Sequence, residues 1–150
     1  MKVVIQRVSS ASVTINEQKV ASISKGLLIL VGIVPDDTQE DIEWLCQKII
    51  KLRIFGDEND LMNLSLLDVD GEIIVVSQFT LYALTKKGNR PSYIKAARPE
   101  IAIPLYQSFK TRLNELLQKE IQSGEFGANM KVKLINDGPI TIIIDSKNRE

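Results

Sequence analysis

The apolar positions of this chain fall into short, dense runs separated by polar punctuation. Glu72 to Ser77 (EIIVVS) is the plainest of them. An unbroken β-branched run predicts a strand buried on both faces, and here it passes directly into Ser77-Gln78-Phe79-Thr80. Gly26 to Ile33 (GLLILVGI) reads the same way. Lys2 to Val8 is apolar at Val3, Val4, Ile5 and Val8, which leaves Arg7 as a charge inside or beside a core strand. Val13 to Ile15 and Lys19 to Ile23 flank Asn16-Glu17-Gln18 and predict a hairpin.

Two segments change period. Ile42, Leu45, Ile49 and Leu52 recur every three or four residues, which predicts a helix from about Thr38 to Arg53. Asp37 followed by Glu40 has the spacing of a capping box at its start. Leu105, Phe109, Leu113, Leu116, Leu117 and Ile121 predict a second helix, with Pro104 in its first turn and Gly124 at its C-terminal cap. Between the helices, Leu61 to Leu67 reads as a short edge strand, and Asp70-Gly71 as a hairpin turn into the Glu72 strand. Asp57, Glu58 and Asp60 lack the alternation of a calcium loop and read as a solvated turn. At the end of the chain, Met130 to Ile135 and Ile140 to Asp145 read as two strands joined by a specialised turn, Asn136-Asp137-Gly138-Pro139. The fold class expected is mixed α/β (α+β): one domain over residues 1–150, with a mixed, largely antiparallel or barrel-like sheet and two main helices packed on one side.

Composition narrows the chemistry. Lysine plus arginine equals aspartate plus glutamate at 19 each, so no global field draws the protein to a polyanion, and any such partner must be met locally. The local basic surface is Lys86 to Arg98, where five cations and Tyr93 lie in a loop punctuated by Gly88 and Pro91. No apolar run approaches the roughly 18 residues of a membrane span. With a single cysteine, Cys46, beside a helical apolar stripe, a cytoplasmic location without membrane partners is expected. There is no histidine. This removes Ser-His-Asp and Cys-His catalysis and the usual zinc ligand sets, so no metal and no cofactor is expected. Taken alone, Ser77, Gln78 and Thr80 read as strand-end groups that satisfy the backbone.

Ser77-Gln78-Phe79-Thr80-Leu81 and Asn136-Asp137-Gly138-Pro139-Ile140-Thr141, taken together, resemble the D-aminoacyl-tRNA deacylases. The likeness extends through MKVVIQRV at Met1 to Val8, LRIF at Leu52 to Phe55, Met62-Asn63, GNRPS at Gly88 to Ser92, and Phe126-Gly127-Ala128 with Met130. Leu84, Leu61 and Tyr93 depart from residues common in that family, where aspartate, lysine and phenylalanine are usual. The resemblance implies an RNA-binding hydrolase active as a homodimer. It would release the D-amino acid, or misattached glycine, from the aminoacylated 3′ end of tRNA as proofreading. It implies Ser77, Gln78, Phe79 and Thr80 as catalytic residues and Gly138, Pro139, Arg7 and Met130 as substrate-binding residues. In the family the Gly-Pro peptide is cis and enters the partner subunit's active site, excluding L-amino acids, and the position matching Arg7 steadies it.

An aminoacyl ester carries a vicinal ribose hydroxyl, so substrate-assisted activation of water accounts for the missing histidine. The enzyme then has to orient the ester and stabilise the oxyanion, with the backbone N–H groups near Phe79 and Thr80 as candidate donors. A nucleophilic Thr80 hydroxyl is the rival assignment, with no activating base in view. Two other readings compete: a non-catalytic nucleic-acid-binding module using the Lys86 to Arg98 loop, and a hydrolase of small esters.

Overall fold

In the computed structural model, which describes residues 1–150, the spine is strand β1 (Lys2–Ile15). Its first half pairs antiparallel with β3 (Gly26–Gly32), Val3 opposite Val31 and Arg7 opposite Leu27. Its second half forms the predicted hairpin with β2 (Gln18–Ile23), and Asn16 and Glu17 take the positive φ values a tight turn requires. Strand β6 (Glu72–Ser77) lies parallel to β3, and the short β7 (Gln122–Ser123) lies parallel to β6. The two ends of this path meet, because the Gln122 side chain accepts from the Ser22 amide and donates to the Ser22 carbonyl, both at 2.6 Å. The sheet is therefore nearly a closed barrel.

Strand parity explains why β3 and β6 read as apolar throughout. One set of side chains, including Val8, Val13, Leu28, Ile74 and Val76, fills the barrel interior. The alternate set, including Val3, Ile5, Leu27, Ile29, Ile73 and Val75, faces outward and is covered by helices α1 (Gln39–Lys51) and α2 (Pro99–Leu117). Both helices lie on that one side and pack on each other. The Tyr106 hydroxyl donates to the Val75 carbonyl, fixing α2 to the central strand, and burial pushes its phenol up to about 12. Cys46 is buried against the Phe109 carbonyl, and desolvation raises its thiol far above the ordinary range, as for an inert core residue.

Five local expectations are corrected. Helix α1 is capped at Thr38, whose amide donates to Asp41, and not at Asp37; Asp37 turns inward to accept from the Val34 amide and to pair with the Met1 ammonium. Helix α2 starts at Pro99, so Pro104 lies inside it. That proline is exposed, and so is Glu100, whose carbonyl has no N–H to accept from at position 104. The helix ends at Gln118 in a left-handed conformation, and Gly124 lies beyond it next to β7. Asp70-Gly71 is not a hairpin: β5 (Met62–Leu64) pairs with β4 (Phe55–Gly56) in a separate two-stranded sheet. A turn held by the Asp68 carboxylate on Ser65 then carries Leu66 into the core.

The fifth correction bears on function. Met130 to Ile135 and Ile140 to Asp145 do not face each other across a turn. They are two parts of one strand, β8 (Lys131–Asp145), which runs antiparallel to β1 from Lys2 opposite Asp145 to Thr14 opposite Lys131. Between Asn136, opposite Val8, and Thr141, opposite Gln6, the register shifts, and Asp137-Gly138-Pro139-Ile140 stands out from the ladder as a bulge.

Candidate active site

Strand β6 ends at Ser77, still paired with Val31, and the chain closes at once into a 3-10 turn over Phe79–Tyr82. The Gln78 amide donates to the Val31 carbonyl at 2.7 Å, so the last ladder bond fixes where the turn begins. The Gln78 side-chain amide then donates to the Thr80 hydroxyl at 2.5 Å. As the first residues of the turn, Phe79 and Thr80 have backbone N–H groups for which the turn itself offers no acceptor. Phe79 is half exposed, and its ring meets Tyr93 edge to face at 5.0 Å, which holds the basic loop beside the turn.

A cavity of about 310 Å³ opens at this strand end. Ser77, Gln78 and Phe79 form one wall; Phe126, Gly127, Ala128, Asn129 and Met130 form the other; Val31, Ile33, Val76 and Val132 make the floor. None of these side chains ionises between pH 2 and 12. Thr80 is bonded to Gln78 but does not itself line the cavity. The segment Phe126 to Asn129 was not among the site residues expected from sequence. Its signal was the Phe-Gly-Ala run, with Gly127 at a φ of +77°.

Gly138, Pro139 and Arg7 are gathered elsewhere. The Gly138-Pro139 peptide is cis, both residues are exposed on the bulge, and neither they nor Arg7 line the cavity. Gly138 has a φ of +139°, and a β-carbon there would sit 2.8 Å from Ile140 Cγ1 and 3.3 Å from the Arg7 guanidinium, so only glycine fits. Arg7 anchors the bulge from below, donating from Nε to the Asp137 carbonyl (2.9 Å) and from Nη1 to the Ile54 carbonyl (2.7 Å). Asn136 closes the bulge by accepting from the Ile140 amide at 2.8 Å. The expected residues thus form two groups within one chain: a cavity with Ser77, Gln78, Phe79 and Met130, and a projecting Gly138-Pro139 clamped by Arg7.

A cavity at a strand end with no ionisable side chain in its lining can hold and orient a polar ligand but offers it no side-chain acid or base. Residues 4–145 match the D-Tyr-tRNA(Tyr) deacylase family, and the chain belongs to it. A D-aminoacyl-tRNA deacylase of Flavobacterium psychrophilum is 73% identical over 150 residues, all of both chains, and one of Bacteroides fragilis is 63% identical over the same span. Among solved structures, one titled c-Myc DNA Unwinding Element Binding Protein superposes with a TM-score of 0.91 at 41% identity, covering 97% of this chain and 98% of the other. A probable eukaryotic D-amino acid tRNA deacylase shares the fold, with a TM-score of 0.83 at 16% identity over 95% of this chain and 97% of its own.

Proposed function

We propose that this protein hydrolyses the ester between a D-amino acid, or misattached glycine, and the terminal ribose of tRNA, acting in the cytoplasm as a proofreading enzyme of translation. The observation that carries the reading is the cavity at the end of β6: it has no ionisable side chain, yet it is lined by Phe79, where a 3-10 turn begins whose first N–H groups have no acceptor within the turn. Such a site suits a substrate that brings its own proton-handling group. The ribose hydroxyl next to the ester activates water, and the Phe79 and Thr80 amides receive the charge that develops on the carbonyl oxygen.

The active unit in this reading is a homodimer. Gly138-Pro139 projects from the surface and lies outside its own chain's cavity, as expected of an element that completes a partner's site. Across a two-fold axis each bulge would place a rigid backbone wall against the α-carbon of the substrate. An L side chain would collide with that wall, a D side chain would point away, and glycine would pass. The Ser77 to Thr80 turn then orients the ester, Met130 packs against the bound end of the tRNA, and Arg7 holds the wall in register.

The test is deacylation of matched D-tyrosyl-, L-tyrosyl- and glycyl-tRNA, with sedimentation at the assay concentration. Cleavage of the D and glycyl forms by a dimer supports the reading. Equal rates on D and L forms, or full activity of a monomer, overturn the wall or the shared site respectively. The 41% identical c-Myc DNA Unwinding Element Binding Protein favours a second reading, a nucleic-acid-binding module without catalysis. Binding without turnover on any aminoacyl ester would establish it.

A further inference from the structure

The outer face of the barrel is apolar where the helices cover it and changes character where they stop. Beyond their reach, the distal half of β1 and its two neighbours bring Ser10, Ser12 and Thr14 into line, flanked by Lys19 on β2 and by Lys131 and Lys133 on β8. The register sets this arrangement: Thr14 is opposite both Lys19 and Lys131, and Ser12 is opposite Lys133. Paired residues share a face, so the three ammonium groups and the three hydroxyls all point the same way. They line a trough of about 470 Å³ that no carboxylate enters. None of the three lysines makes an ion pair, and all three are exposed, whereas the hydroxyls beneath them are half-buried.

We propose that this trough is a contact surface for the RNA phosphodiester backbone, carrying the acceptor stem of the tRNA whose 3′ end occupies the cavity. The inference rests on the deacylase reading for the identity of the RNA. Three features fix the partner's chemistry. Unpaired cations above hydroxyl donors, free of acidic neighbours, complement a polyanion in a protein whose net charge is zero. Lys131 and Lys133 are about 7 Å apart along the strand, close to the step between consecutive phosphates of an RNA chain. The trough also adjoins the cavity along the chain, since Met130 of the cavity directly precedes Lys131 at the start of β8. A 3′ end held at Met130 would leave the cavity along the start of β8. The neutral hydroxyl floor supplies no base-specific pattern, which fits an enzyme that must accept many tRNA sequences.

The primary readout is binding of uncharged tRNA, which does not depend on turnover. The triple variant K19A/K131A/K133A should weaken binding about tenfold or more near 100 mM salt and flatten the log-log salt dependence by about 2, the loss of two to three phosphate contacts. The corresponding triple arginine variant should bind like wild type. On a 3′-D-aminoacyl-adenosine fragment, which has the ester and vicinal hydroxyl but no stem, the alanine variant should match wild type within about twofold. Unchanged tRNA affinity and salt slope overturn the proposal. So does an equal loss on the fragment, or a changed oligomeric state, which would make the trough a subunit contact. If wild type binds tRNA but cleaves no D-aminoacyl ester, the deacylase reading fails while the binding comparison still decides the trough.

Discussion

Met130 lays its thioether sulfur over the bare α-carbon of Gly124, in the space a β-carbon would need. Gly124 sits just past β7, tied to the Val75 carbonyl, and its backbone conformation is one that alanine can adopt. The absence of a side chain is therefore what lets Met130 lie back against the barrel and leave the cavity open. Gly124→Ala should push the flexible methionine forward into the cavity at a stability cost of about 1 kcal/mol. The expected result is a KM for D-aminoacyl-tRNA raised several-fold with kcat changed much less. The chain has three methionines, so methyl-labelled methionine NMR can report the displacement directly, with Met130 moving and Met1 and Met62 staying put. An unmoved Met130 methyl would disprove the coupling.

Thr80 has its hydroxyl oxygen occupied by the Gln78 side chain, and no ionisable group lines the adjoining cavity to take its proton. In the proposed mechanism its amide, not its hydroxyl, meets the oxyanion. Thr80→Ala should keep kcat within about tenfold of wild type, well short of the roughly 10²–10³ loss that follows removal of an oxyanion donor. Replacing the ribose hydroxyl beside the ester by hydrogen should be far more damaging. Single-turnover deacylation with both changes separates these roles, and a trapped acyl-Thr80 species would reverse the assignment.

Asp41 gives the fold a pH dependence of known sign. Burial alone would raise its carboxyl, but hydrogen bonds from Ser146, Lys147 and Thr38 hold it well below the ordinary carboxylate range. A lowered folded pKa stabilises the protein above the unfolded value of about 4, and that contribution is lost as the pH falls through and below it. Neighbouring Asp37 acts with the opposite sign, because burial raises its carboxyl despite bonds from the Met1 ammonium and the Val34 amide. Asp41→Asn isolates the first effect. It should lower stability at pH 7 by about 1–2 kcal/mol and narrow its gap from wild type as the pH approaches 3, measured by urea unfolding. A gap independent of pH would rule out the carboxylate as its source.

Much of the fold was legible because burial and period agree in β1, β3, β6 and both helices. The misread places are those where a local signal had two physical uses. Asp37 and Thr38 both precede a helix, and only the demand of the Met1 ammonium decides which of them caps it. Proline and glycine at 138–139 interrupt a strand pattern as a turn does, but whether the chain reverses or bulges depends on the partner strand, which lies more than a hundred residues away. Of the site, the strand-end cluster was visible as polar residues following an apolar run. The Phe126 to Asn129 wall was not, since it faces the cavity only through the way β7 and β8 flank that loop. The lysines of the trough were equally hidden: Lys19 lies more than a hundred positions from Lys131 and Lys133, and only the shared register on β1 makes them neighbours.

Strand β1 takes nearly all its pairing on one side from β8, with Lys2 opposite Asp145, so the first strand to leave the ribosome must wait for the last. Contacts of such sequence separation form late, after the helices and the β1–β2 hairpin have had time to assemble locally. Arg7 meets Asp137 only at that final closure, and Met130 reaches its seat on Gly124 only with the same strand. An incomplete chain therefore has the Ser77 to Phe79 wall but neither the Met130 side of the cavity nor the Arg7 clamp on the bulge.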